Sequence, residues 1–126
     1  MMNAFVQHSA AGPSVKRRAA DVYPFLETYI ARKEQQIADI MQIVERYEKR
    51  RMVEERAYQS MSALRRMFSG KKPDHHVAVE YIHYVKKPME QVRRLRAEVE
   101  AARAILTDSQ PGDMIDLDGD LERELT

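Results

Sequence analysis

The sequence has no cysteine and no tryptophan, and only 4 glycines and 5 prolines in 126 residues. Without cysteine there is no disulfide scaffold, zinc knuckle, iron–sulfur site or thiol catalysis. So little glycine and proline in a chain that is 33% charged argues against a turn-rich β fold and for long helices. No apolar run approaches the roughly 18 residues of a membrane span, so no membrane partner is expected. The first twenty residues contain no acid and no apolar stretch leading to a cleavage site, which argues against a secretory leader. The expected location is the cytoplasm. There is also no glycine-rich phosphate loop, no G-x-S-x-G and no pair of acids in an expected pocket. No enzymatic activity and no cofactor are therefore expected.

What is present is a strong charge asymmetry. Residues 1–107 carry 20 Lys and Arg against 13 Asp and Glu, a net +7, whereas residues 108–126 carry Arg123 against seven acids, a net −6. Three segments follow from this and from the breakers. Residues 1–20 read as a flexible basic arm with Lys16, Arg17 and Arg18 and a short helix from Val15 to Ala20. Residues 21–107 read as a helical hairpin, and residues 108–126 as a disordered acidic tail that solvates the chain or competes for the basic body.

Residues 25–69 contain neither glycine nor proline, enough for a helix of about 68 Å at 1.5 Å per residue. Asp21 is a candidate cap, with Pro24 tolerated in the first turn. Gly70 suits the left-handed position after a helix, Pro73 blocks continuation, and Asp74 caps the next helix. The limbs are thus expected at 21–69 and 75–107, with a kink or a break at Pro88.

A seven-residue repeat runs through both limbs. Tyr23, Ile30, Ile37 and Val44 recur at one position, and Leu26, Ile40 and Tyr47 lie three further on, with Lys33 as the exception. The stripe fades across residues 48–56 and returns, shifted by three residues, as Ala57, Met61, Leu64 and Phe68. Such a slip overwinds a coiled coil or marks a partner junction. Val85, Val92, Val99 and Leu106 form the second stripe, with Tyr81, Pro88, Leu95 and Ala102 beside it. The fold expected is all-α: a long antiparallel, coiled-coil-like hairpin. A lone hairpin buries little, so its core is completed to a bundle by self-association, as a dimer or higher, or by the short N-terminal helix. The expected interaction seam is Ile30, Ile37, Ile40, Val44, Tyr47, Met61, Leu64, Phe68, Tyr81, Val85, Val92, Leu95, Val99 and Leu106.

Three constellations bear on chemistry. Glu80 and His83 form an E-x-x-H, with His76 one turn earlier, a spacing that suits metal ligands. In the heptad frame, however, all three fall on the outer face, opposite Leu64 and Met61, so a solvated helix face is expected. Asp116, Asp118 and Asp120 begin like a calcium loop, but Leu121 stands where the turn needs glycine. No metal site is expected. The third is basic: a hairpin folded about residue 72 brings Lys49 and Arg50 opposite Arg93, Arg94 and Arg96. Such a cluster binds phosphates or an acidic protein surface without reading base edges. Its alternative is a solvated face laced by pairs such as Glu90–Arg94.

The functional expectation is a non-enzymatic oligomerising coiled-coil protein, a structural or adaptor module for an unidentified protein partner. The alternatives are a basic, non-specific nucleic-acid-binding protein with a competing acidic tail, and a helical chaperone or inhibitor of a partner helix. The heptad frame is directly testable. Ile37→Asp places a charge on the stripe, at a cost on the order of several kcal/mol, while Gln36→Asp beside it has little effect. Thermal melts of the two variants should separate clearly, and coincident melts would show the frame to be wrong.

Overall fold

The computed structural model describes residues 14–70 and 74–125. The expectations for residues 1–13, and for the breaker Pro73, lie outside the described residues. The chain is all-α in class, with a two-stranded addition. Its elements are β1 (Val15–Arg18), α1 (Ala19–Gln59), α2 (Ala63–Ser69), α3 (Asp74–Tyr81), a π-helical segment (Ile82–Lys86), α4 (Lys87–Asp108), β2 (Met114–Leu117) and α5 (Gly119–Leu125). The expected antiparallel hairpin is formed by α1 and α4. The chain divides into two compact units, residues 1–34 with 97–126, and residues 35–96.

In the first unit residues 15–18 and 114–125 are tied to the hairpin. β1 pairs antiparallel with β2, with Val15 opposite Leu117 and Arg18 opposite Met114. The segment expected as a short helix is thus a strand. The acidic segment expected to be disordered is a strand and a helix, for three reasons. Its acids meet the basic residues of the arm: Lys16 Nζ lies 3.0 Å from Asp116, and the Arg17 guanidinium donates to Glu122 at 2.6 Å. Its apolar residues enter the core, with Leu117 and Leu125 buried beside Ala19, Val22, Leu26, Tyr29 and Ile30 of the same unit. Its backbone satisfies the start of α1: the Ala19 and Ala20 amides donate to the carbonyls of Asp113 and Pro111 at 2.8 and 3.0 Å. Those amides have no partner within the helix, so the turn at Gln110–Asp113 replaces a side-chain cap. α5 is capped in the ordinary way, by Asp118 Oδ1 accepting from the Leu121 amide at 2.8 Å.

In the second unit the core is small. Val44, Tyr47 and Val85 are buried together, with Ile40 and Met89 packed against them. α1 ends at Gln59, ten residues before the expected stop at Ser69. Ser62 then caps α2, its hydroxyl accepting from the Arg65 amide at 3.3 Å. Gly70 ends α2 at φ 71°, the left-handed conformation expected of it.

Pro88 lies in the first turn of α4, directly after a π-helical segment. Its effect is absorbed upstream, where Ile82–Lys86 widen into a π turn and the Lys87 amide donates to the Ile82 carbonyl five residues back. Proline has no amide to offer and clashes with the carbonyl four residues earlier, and an extra residue in the turn relieves both. That extra residue shifts the heptad frame by one. After the π segment Val92, Leu95, Val99 and Ala102 are buried as expected. Before it Val77 and Glu80 are half-buried, and Ala78 and Tyr81 are exposed.

Leu117 is 1% exposed and Met114, on the same strand, 62%. Leu117→Ala should therefore cost about 2–5 kcal/mol in urea unfolding and Met114→Ala well under 1 kcal/mol. Equal effects would show that the C-terminal segment contributes nothing to the core.

Candidate interaction surface

The seam residues fall into two groups. Ile30, Val44, Tyr47, Val85, Val92, Leu95 and Val99 are buried, and Ile37, Ile40, Met61 and Leu106 are half-buried. Leu64, Phe68 and Tyr81 face solvent at 65, 81 and 52% exposure. Tyr81 was displaced by the π turn. Leu64 and Phe68 were assigned by a three-residue slip that does not occur. The original repeat continues past Val44 through Arg51 and Tyr58, both half-buried, until α1 ends. Arg51 serves there because its aliphatic stem covers apolar surface while its head pairs with Glu54 at 3.0 Å.

The register also differs from a fold about residue 72. The Tyr47 ring stacks on Tyr84 with centroids 5.0 Å apart, and its hydroxyl donates to Glu80 at 3.2 Å. The limbs therefore reverse near α2. Lys49 and Arg50 lie beyond Tyr47 toward that reversal, whereas Arg93 is nine residues from Tyr84 in the other direction, about 14 Å along the axis. Lys49 and Arg50 are thus not brought opposite Arg93, Arg94 and Arg96, and all five are exposed. Arg50 rests over the Tyr47 ring at 5.8 Å. Glu80 faces Tyr47 rather than Leu64. His83 stands edge-on to Tyr84 at 4.7 Å, and His76 lies beside His75 at 5.6 Å. Among the described residues no group of three or more His, Asp and Glu is placed to hold a metal. In the tail, Asp116 pairs with Lys16, Asp118 caps α5, and Asp120 pairs with Arg123.

The electrostatic centre of the first unit is Lys33, the residue that broke the heptad. Its side chain is only 12% exposed, and its ammonium lies 2.9 Å from Glu124 of α5 and 3.3 Å from Glu98 of α4. It also sits 5.1 Å from the centre of the Tyr29 ring. Arg32 donates to the Glu124 carbonyl at 3.0 Å, and Arg103 pairs with Glu34. Burial disfavours the Lys33 cation, but hydrogen bonds to Glu124 and Glu98 outweigh it and hold the ammonium above the ordinary lysine value. Burial, then the charge of Glu98, raises the Tyr29 phenol. A polar residue at a core heptad position was the sequence signal for this site, but its partners are distant in sequence.

The outer surface of the second unit is unusually apolar. Met52, Val53, Val79, Tyr81, Ile82 and Tyr84 are each 40–64% exposed. At the reversal α2 has no buried residue. A cavity of about 370 Å³ lies beside it, lined by both charged and apolar groups, among them Glu54, Glu55, Tyr58, Met61 and Val77. No helix among the described residues is long and apolar enough to cross a membrane. No protein-family model, curated protein or solved structure matches the chain.

The Lys33 site makes a pH prediction. Both raised groups contribute stability that is complete below about pH 10, the ordinary range of Lys and Tyr, and that is lost as pH rises through their folded values. Urea midpoints should therefore fall between about pH 8 and about pH 11. The fall should be shallower in Lys33→Met, which retains only the tyrosine contribution. Identical alkaline losses in the two proteins would remove Lys33 from this role.

Proposed function

We propose that the chain is a non-enzymatic helical interaction module, an adaptor or structural protein that pairs with a second copy through the outer face of its second unit. The observation that supports this reading is the number of apolar side chains that unit leaves in water. Five residues are buried, Val44, Tyr47, Val85, Val92 and Leu95, while Met52, Val53, Val79, Tyr81 and Ile82 are 43–64% exposed. Apolar groups left in water on both limbs of the unit are the material of an interaction surface.

Charge favours a second copy as the occupant. Residues 45–55 carry four acids (Glu45, Glu48, Glu54, Glu55) and four bases (Arg46, Lys49, Arg50, Arg51). The segment is therefore neutral as a whole, and in an antiparallel self-pair Arg46 of each copy meets Glu54 of the other. Phosphate binding by Lys49, Arg50, Arg93, Arg94 and Arg96 loses its geometric basis in the observed register. The acidic tail is engaged at Lys16, Arg17 and Lys33 instead.

Light scattering at micromolar concentration should give a mass of at least twice 14.7 kDa. The double variant Val53→Asp, Ile82→Asp should lower the mass to that of the monomer without loss of helicity, because neither side chain belongs to the buried cluster. A monomeric parent protein with full helicity would refute the proposal.

A further inference from the structure

Helix α2 buries no residue and leaves its apolar face in water. At 100° per residue, Leu64, Met67 and Phe68 fall within an arc of about 100°, and Arg65, Arg66 and Ser69 occupy the opposite side. A helix at a protein surface normally turns its apolar arc to the core. Here Leu64, Met67 and Phe68 are 65, 77 and 81% exposed. The polar side holds the helix in place. The Arg66 guanidinium donates to the Met61 carbonyl at 3.1 Å and to the Gln59 carbonyl at 3.5 Å, and lies 5.8 Å from the centre of the Tyr58 ring. These bonds satisfy carbonyls left open at the end of α1 and leave the apolar arc facing solvent.

From these features we infer that α2 docks on an anionic lipid surface, with Leu64, Met67 and Phe68 entering the interfacial layer and Arg65 meeting the headgroups. Charge selects this occupant. No acid occurs between Glu55 and Asp74 in the sequence, whereas Arg56, Arg65 and Arg66 are basic. A second copy of this chain would set like charge against like, in contrast to the balanced segment at 45–55. Size points the same way. Three side chains on a seven-residue helix fall well short of the roughly 800 Å² per partner of a stable protein interface. A fluid lipid interface takes isolated apolar groups without shape complementarity and adds attraction for each cation. The contact is superficial and involves no spanning segment. It is independent of the pairing proposed above, which uses other residues.

The test is flotation of the full chain with vesicles of phosphatidylcholine alone and of phosphatidylcholine with phosphatidylserine. Binding is expected only to the phosphatidylserine vesicles, and it should weaken as salt is raised. Arg65→Gln should weaken it about fivefold. Leu64→Ser with Phe68→Ser should weaken it at least about tenfold, with unchanged helicity and unchanged mass by light scattering, since neither residue is buried. Absence of binding to phosphatidylserine vesicles would overturn the inference. So would full binding by the Leu64→Ser, Phe68→Ser variant, which would assign adsorption to another basic surface. Loss of mass in that variant would assign the face to self-association instead.

Discussion

The pairing of Val15–Arg18 with Met114–Leu117 is the constraint on which the first unit depends. A two-helix hairpin has a narrow seam and buries too little to be stable by itself. Bringing the two end segments together supplies the missing cover. Leu117 and Leu125 become core residues, and the turn before β2 delivers two carbonyls to the first amides of α1. The strand pairing, the helix start and the apolar burial reinforce one another, and each requires the acidic segment to be ordered.

Charge makes this closure specific. Lys16 and Arg17 have their counter-ions in Asp116 and Glu122, and Lys33 carries the same logic inward, joining α1, α4 and α5 at one point. Exposed pairs such as Lys16–Asp116 add little stability. The Lys33 cluster is of another kind, since an ammonium withdrawn from water requires its carboxylates to be in place. Among the described residues the second unit has no such centre. It carries more basic than acidic residues, and apolar groups on both limbs stand exposed.

The sequence carried the local information and little of the long-range information. The long helices, the left-handed Gly70 and the buried stripe through Val44, Val92 and Val99 were legible, because each rests on spacing within one segment. The register was not, because the Tyr47–Tyr84 stack and the Tyr47–Glu80 bond join residues more than thirty positions apart. Arg51 hid the continuation of the heptad by being charged where only its stem mattered. The order of the tail was hidden for a similar reason: its acids suggested solvation until their basic partners, nearly a hundred residues away, were in view. At the candidate surface, Leu64 and Phe68 were recognisable as apolar at helical spacing. That they point away from the body follows from the Ser62 cap and the Arg66 bonds, which end one helix and turn the next.

The π segment has a consequence for how such a chain can change. An extra residue inside a regular helix rotates everything beyond it by about 100°, and here that rotation is confined to the limb between the reversal and Ile82. Loss of the ring at position 88 with no change in length would let the segment close to a uniform α-helix and turn Ala78 and Tyr81 inward in place of Val77 and Glu80, leaving the α4 seam untouched. A single-codon deletion there would instead keep Val77 and Glu80 inward and conserve the outer face of the second unit. The segment thus acts as a dial between seam and surface, holding in one wide turn a residue that a strict heptad would not accommodate.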